Sequence, residues 1–129
     1  MRKILIVEDD TKMRFLLKRL LEKKFHMEVF EAENGSHGLE IYRKCNPKLI
    51  FLDINMPIMD GSEFLFHLRN ENSEVPVVVM TCNNDKEIVG KMLQLGISDY
   101  IIKSDFIILL ESRIAEILDK HIPAFRIPD

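Results

Sequence analysis

Short apolar runs recur along the chain and predict the strands of a sheet. The runs at 4–7 and 49–52 contain only apolar residues, a pattern typical of strands buried on both faces. Runs at 75–80 and 100–102 resemble them, whereas 27–32 carries two glutamates, as an edge strand can. We therefore predict five strands, the second of which lies at an edge of the sheet.

Between these runs, apolar residues recur at helical spacing and predict five helices. Asp9 or Asp10 can cap the first helix, Gly96 ends the fourth, and the fifth begins near Asp105. The predicted buried stripes are Met13, Leu16, Leu17, Leu20 and Leu21; Leu39, Ile41, Tyr42 and Cys45; Phe64, Leu65 and Leu68; Ile88, Val89, Met92 and Leu93; and Phe106, Leu110, Ile114, Ile117 and Leu118.

Strands that alternate with helices predict an α/β fold. Right-handed crossovers between parallel strands place helices on both faces of a doubly wound five-stranded sheet. The chain contains no internal repeat or linker, so we expect one domain over residues 1–121. Residues 122–129 then form a C-terminal tail or the start of a linker, and the chain is either a complete single-domain protein or a fragment cut there.

Composition permits this fold and narrows the function. The chain has 129 residues, of which 47% are hydrophobic, enough for one core. Its net charge of −3 comes from well-mixed residues and offers no basic surface for nucleic acid or membranes. The sequence has no signal-peptide pattern and no apolar stretch near the ~20 residues of a membrane span. We expect a cytoplasmic protein that binds neither nucleic acid nor membrane.

Polar residues end four of the apolar runs. Glu8 and Asp9 follow the first run, Asp53 the third, Thr81 the fourth and Lys103 the fifth. If the first and third strands are parallel neighbours, their acids converge at one edge of the sheet, where such sheets bind ligands. Clustered carboxylates require protons or a cation.

This order of residues resembles the bacterial response-regulator receiver domain, from Lys3 to about His121. That family has an acidic pair after strand one, a phosphoacceptor Asp after strand three, Thr or Ser after strand four and Lys after strand five. Asp53 also begins a D-x-N-x-P motif that ends at Pro57. The resemblance implies the flavodoxin-like strand order 2-1-3-4-5 of chemotaxis regulators.

The candidate chemistry is phosphoryl transfer to Asp53. A carboxylate can attack a phosphoryl group if the charge that develops on the transferred oxygens is neutralised. Mg²⁺ suits this task because it prefers oxygen ligands. We expect Asp9 and Asp53 as direct ligands, Glu8 directly or through water, and the backbone carbonyl of Asn55; the resemblance supports this set. Lys103 supplies a fixed positive charge to the phosphoryl oxygens.

The resemblance further implies a signalling switch that catalyses only its own phosphorylation and dephosphorylation. A sensor histidine kinase would supply the phosphoryl group, and a downstream effector or detached output domain would receive the signal. Thr81 would move toward the phosphoryl group, and Tyr100, which matches the family's switch aromatic, would turn into the space behind it. The surface of helix four, strand five and helix five would change as a result.

The sequence departs from the family pattern at two positions. Ser104 follows Lys103 where the family usually has a cis proline, and a cis bond without proline costs ~3–4 kcal/mol. We expect a trans bond, with the flexible Lys103 side chain still reaching Asp53. Cys82 stands where a smaller residue is usual; with Cys45 it predicts buried thiols, since the spacing suits neither a metal site nor a disulfide framework.

Two alternatives come from other functional classes. Haloacid-dehalogenase-like phosphatases use a Mg²⁺-bound Asp nucleophile with a second Asp two positions on, but here that position is Asn55 and the chain is short for such an enzyme. A receiver-like interaction module that is never phosphorylated would be marked by loss of Asp53, Asp9 or Lys103, and all three are present.

Overall fold

A computed structural model describes residues 2–71, 73–81, 86–103 and 107–122. All strand pairs in its sheet are parallel, and the order is β2-β1-β3-β4-β5. This confirms the predicted fold class and strand order. The strands are β1 Lys3–Val7, β2 Glu28–Ala32, β3 Leu49–Asp53, β4 Val77–Thr81 and β5 Asp99–Ile102.

The five predicted helices are present. They are α1 Thr11–Arg19, α2 Gly35–Cys45, α3 Gly61–Asn70, α4 Lys86–Gln94 and α5 Ile107–His121. Asp10 caps α1 by accepting hydrogen bonds from the backbone N–H groups of Lys12 and Met13, the role expected of a capping residue. A π-helical segment, Leu20–Lys24, continues α1 and was not predicted.

The sheet separates two apolar layers. Helices α1 and α5 cover one face, where Leu17 and Ile114 pack with Ile4 and Phe51 of the central strands. Helices α2, α3 and α4 cover the other face with residues such as Phe64. Alternate side chains of β1 and β3 point into opposite layers, which explains why their sequences are continuously apolar.

Two details of the helix prediction need comment. Leu93 was predicted to lie in the buried stripe of α4, which is wrong: it is 55% exposed, and Met92 beside it fills the core instead. Phe106, predicted to be buried by α5, lies outside the described residues, as does Cys82; Cys45 is a buried free thiol. None of the helices in the described ranges has both the length and the apolar character needed to cross a bilayer.

Candidate functional site

Three carboxylates meet at the carboxyl edge of the sheet. Val7 pairs with Leu52, so the residues that follow them, Glu8 and Asp53, emerge side by side. One oxygen from each of Glu8, Asp9 and Asp53 lies within 4.8 Å of the others. Glu8 and Asp53 are buried, whereas Asp9 is exposed. The adjacent ends of two buried strands therefore create the predicted cluster.

Lys103, which follows β5, reaches across β4 to this cluster. Its Nζ lies 3.0 Å from Asp53 Oδ1 and 2.5 Å from Glu8 Oε1. Its backbone N–H donates to the carbonyl of Thr81 at 2.7 Å, which fixes the backbone of Lys103 beside the end of β4. The expected trans bond between Lys103 and Ser104 lies outside the described residues. The ammonium nevertheless contacts Asp53, as a long side chain allows.

Burial and charge shift the protonation equilibria of the cluster. Burial raises the pKa of Glu8 to about 8; the Asp53 carboxylate acts in the same direction and the Lys103 ammonium opposes it. For Lys103, burial lowers the pKa, but Glu8 and Asp53 outweigh it, so that the net shift is upward. One ammonium thus faces two buried acids, so without a bound cation Glu8 holds its proton to a higher pH than an exposed glutamate does.

The cluster fits a hard divalent cation. Every donor in it is a carboxylate oxygen, the ligand type that Mg²⁺ prefers. Glu8 Oε1 is buried, and its charge is balanced by the Lys103 ammonium 2.5 Å away. A cation that binds among the three acids would share this role with Lys103.

The loop after Asp53 folds back over the end of its own strand. Gly61, the first residue of α3, donates to the carbonyl of Ile54 at 2.8 Å. A Cβ at this position would lie 2.5 Å from the Asp53 carbonyl oxygen, so only glycine fits. The preceding residue, Asp60, forms a capping box with Glu63 that fixes the start of α3. Local backbone packing thereby holds Asp53 in place.

The remaining predicted site residues surround the cluster. Thr81 is buried at the end of β4, one residue beyond the partner of Asp53 in the sheet register. Tyr100 is half-buried opposite Val79, and Asn55 is exposed in the loop after Asp53. The structure thus brings Glu8, Asp9, Asp53 and Lys103 together and places Thr81, Tyr100 and Asn55 on adjoining elements.

One residue beside the acidic pair was not predicted from the sequence. Arg14, one turn into α1, donates from its Nη1 to the backbone carbonyl of Glu8 at 2.7 Å. Its Nε lies 3.4 Å from Glu31 Oε1 of β2. An arginine six residues after Glu8, on a helix, is normally predicted to lie at the surface. The contact is evident only from the orientation of the helix in the structure.

Comparison with known proteins identifies the family to which the chain is similar. Residues 4–115 match the family model described as response regulator receiver domain. The chain is 34% identical over 101 residues to the chemotaxis protein CheY of Bacillus subtilis (strain 168), covering 78% of this chain and 84% of that protein.

A longer relative and a solved structure extend the comparison. The chain is 35% identical over 104 residues to the regulatory protein AtoC of Escherichia coli (strain K12), covering 78% of this chain but 22% of AtoC. The structure of a two-component response regulator from Clostridium difficile is similar, with a TM-score of 0.82, 28% identity, and coverage of 93% of this chain and 98% of that one.

Proposed function

The chain belongs to the response regulator receiver domain family, and we propose that it is a signalling switch phosphorylated on Asp53. The observation that carries the proposal is the position of Asp53. Its carboxylate is buried at a strand end, beside two other acids and 3.0 Å from the Lys103 ammonium. An acid in this setting can act as a nucleophile because the charge that accumulates during transfer is balanced by fixed groups. The proposed receiver unit spans residues 1–121, followed by a tail or linker at 122–129.

In the proposed reaction, an oxygen of Asp53 forms a bond to phosphorus as the bond from phosphorus to the donor's leaving group breaks. The leaving group departs with the electron pair, and Asp53 becomes a mixed anhydride. Lys103 balances charge on the phosphoryl oxygens, and Thr81 donates a hydrogen bond to one of them. Mg²⁺ held by Asp9, Asp53, Glu8 and the Asn55 carbonyl would supply further neutralisation and orient the phosphoryl group. Apart from forming and breaking this anhydride, the chain is not an enzyme.

Phosphorylation would add roughly −1.5 to −2 charge at one strand end. We infer that Thr81 moves toward this charge and that Tyr100, on the neighbouring strand, turns toward the space it leaves. The surface formed by α4, β5 and α5 then changes. A few kcal/mol of preference for the active arrangement is enough to shift the population.

The proposed partners are a sensor histidine kinase, which donates the phosphoryl group, and a protein effector that binds the changed surface. The name of the similar chemotaxis protein indicates one type of signalling in which such a domain takes part. The longer regulatory relative extends well beyond the part that this chain covers. The effector could therefore be a separate protein or a further domain, and both types of output require the same switch.

The proposal is tested by incubating the protein with Mg²⁺ and acetyl phosphate and measuring intact mass. We expect one phosphoryl adduct that hydroxylamine removes. Asp53→Asn should abolish it while leaving the protein folded. Asp60→Asn is the matched control, because Asn also caps helices, and it should be phosphorylated normally.

Two outcomes contradict the proposal. An adduct of normal yield on Asp53→Asn would show that another residue is the acceptor. No adduct on the wild-type protein, with Mg²⁺ binding intact, would favour the alternative of an interaction module that is not phosphorylated.

A further inference from the structure

We propose that Arg14 is a positioning residue that holds the Glu8–Asp9 turn in the shape required for cation binding. The inference rests on the proposed function, since it concerns how the acidic cluster receives Mg²⁺. It gives a role to a half-buried contact that the family pattern described above does not include. The argument begins with the backbone where β1 ends.

Of the two backbone groups of Glu8, only the N–H forms a hydrogen bond with a neighbouring strand. Its N–H donates to the carbonyl of Ala32 on β2 at 3.0 Å, which extends the β1–β2 pairing by one residue. Its carbonyl accepts from Arg14 Nη1 at 2.7 Å instead of from a strand. Because this carbonyl belongs to the peptide that links Glu8 to Asp9, α1 determines the orientation of that peptide plane.

Arg14 is itself held in a defined position. Its side chain is only 15% exposed, and its Nε lies 3.4 Å from Glu31 Oε1 on β2. The second oxygen of Glu31 accepts from Lys18 Nζ at 3.1 Å, so both oxygens of that carboxylate are engaged. The rigid guanidinium uses two different edges, one for Glu31 and one for the Glu8 carbonyl. A chain of contacts therefore joins β2, α1 and the end of β1.

The position of Asp9 depends most on this support. Its carboxylate is exposed, yet one of its oxygens lies within 4.8 Å of oxygens of Glu8 and Asp53. Repulsion among these acids favours a turn that carries Asp9 away from the other two. By holding the preceding carbonyl, Arg14 opposes that movement and keeps Asp9 where a cation can bridge the cluster. Outer-shell groups of this kind typically change metal affinity by roughly 10–100-fold when removed.

Charge alone predicts the opposite effect. A cation near a metal site repels the metal, so removal of the Arg14 charge without any positioning role should strengthen Mg²⁺ binding. Loss of positioning should weaken it. The direction of the change in affinity therefore distinguishes the two roles.

The experiment is calorimetric titration with Mg²⁺ of the wild-type protein, Arg14→Met, Arg14→Lys and Lys18→Met. We expect Arg14→Met to bind about tenfold more weakly. Arg14→Lys, which retains the charge without the two-edged guanidinium, should have an intermediate affinity. Lys18→Met is the matched control, because it removes a cation from the same Glu31 without touching Glu8, and its affinity should stay within about twofold of wild type.

Phosphorylation by acetyl phosphate gives a second readout. The Arg14→Met rate should fall at low Mg²⁺ and recover at saturating Mg²⁺, a dependence that general destabilisation does not produce. Unchanged or tighter Mg²⁺ binding by Arg14→Met would overturn the inference. If urea denaturation shows that this variant does not fold, Arg14→Lys decides, and wild-type affinity in that variant overturns the inference.

Failure of the proposed function gives a different result. It would appear in the wild-type protein itself, as no Mg²⁺ binding or no adduct on Asp53. A wild-type protein that binds Mg²⁺ and is phosphorylated, together with an Arg14→Met variant of equal affinity, leaves the proposed function intact and rejects only the role of Arg14.

Discussion

The charged groups at the two ends of the parallel strands, the amino edge and the carboxyl edge of the sheet, are arranged in opposite ways. At the amino edge, Arg69 of α3 donates to the carbonyls of Ser73, Val75 and Gly96 at 2.6–3.1 Å, so one cation satisfies three acceptors from two loops. At the carboxyl edge, three acids crowd together around Lys103. Contacts at the first edge complement one another, whereas groups at the second edge oppose one another.

The difference separates stability from chemistry. Groups that satisfy each other fully have nothing left to offer a ligand, and the Arg69 contacts fix the loops before β4 and β5. Acids that repel each other gain from any cation or phosphoryl group that relieves the repulsion. We therefore expect substitution of the cation at the amino edge to change the free energy of unfolding, and substitution of the clustered acids at the carboxyl edge to change function or even to raise stability.

The largest expected effect comes from a substitution that disrupts the backbone packing around Asp53. In Gly61→Ala, the new Cβ would lie 2.5 Å from the Asp53 carbonyl oxygen and 2.9 Å from the Ile54 Cα, and neither atom can move without shifting β3. We expect a loss of about 3 kcal/mol in the free energy of unfolding, measured by urea denaturation. Phosphorylation should slow as well, because Asp53 is displaced.

Gly90→Ala is the matched control for this change. Gly90 lies within α4, and among the described residues nothing beyond its chain neighbours and the backbone of its own helix falls within 4 Å of a Cβ built there. Alanine is a better helix former, so we expect a gain of about 1 kcal/mol. Equal stabilities for the two variants would show that the loop over Asp53 adapts, and that the backbone does not fix the nucleophile.

The second prediction tests the amino edge. Arg69→Met keeps the apolar stem but leaves three carbonyls without their donor, and we expect a loss of about 2 kcal/mol on urea denaturation. Arg43→Met removes a cation from the exposed pair with Glu71 and should cost less. Both variants should be phosphorylated at the wild-type rate. A slowed rate in Arg69→Met would contradict the separation of the two edges.

Much of this architecture could be predicted from sequence because it depends on local patterns. Continuous apolar runs identify β1, β3 and β4, and the residue after each run identifies part of the site. Strand boundaries were less certain: β4 begins at Val77 and not at Val75, since Pro76 has no N–H for a sheet hydrogen bond.

The contacts that were missed depend on three-dimensional placement. Arg14 and Arg69 look like ordinary surface cations in the sequence, and their backbone acceptors carry no residue-type signal. The left-handed conformation of Ile58 is also unexpected, because β-branched residues avoid it. In these cases the surrounding structure overrides the usual preference of the residue type for a surface position or a backbone conformation. Sequence patterns indicate only that preference.

The third prediction concerns the protonation of Glu8. Because burial raises the pKa of Glu8 to about 8, the folded protein retains a proton that the unfolded chain, with an ordinary value of 4.5, has already lost. The resulting stability is fully present below the unfolded value and is lost as the pH rises through the folded value. In EDTA, the free energy of unfolding should therefore fall as the pH rises between those two values.

Glu8→Gln removes this titration and should flatten the pH dependence. Urea denaturation at several pH values in EDTA measures both proteins. If the free energy of unfolding of Glu8→Gln depends on pH as strongly as that of the wild-type protein, another group binds the proton. Glu8 would then be a smaller source of repulsion at the carboxyl edge than its position indicates.

The smallest expected effect compares how each edge uses the left-handed backbone conformation. Asn46, between α2 and β3, has φ 50°, and asparagine tolerates this conformation. Ile58, between β3 and α3, has φ 70° and is 82% exposed, so isoleucine there bears backbone strain without burying its side chain. We expect Ile58→Asn to raise the free energy of unfolding by about 1 kcal/mol, measured by urea denaturation. Ile58→Val keeps the branched Cβ and should leave stability unchanged, which separates relief of strain from loss of an exposed apolar surface. If valine stabilises the protein as much as asparagine does, the backbone is not strained at Ile58. Repulsion among the acids is then the one destabilising feature that we have identified at the carboxyl edge.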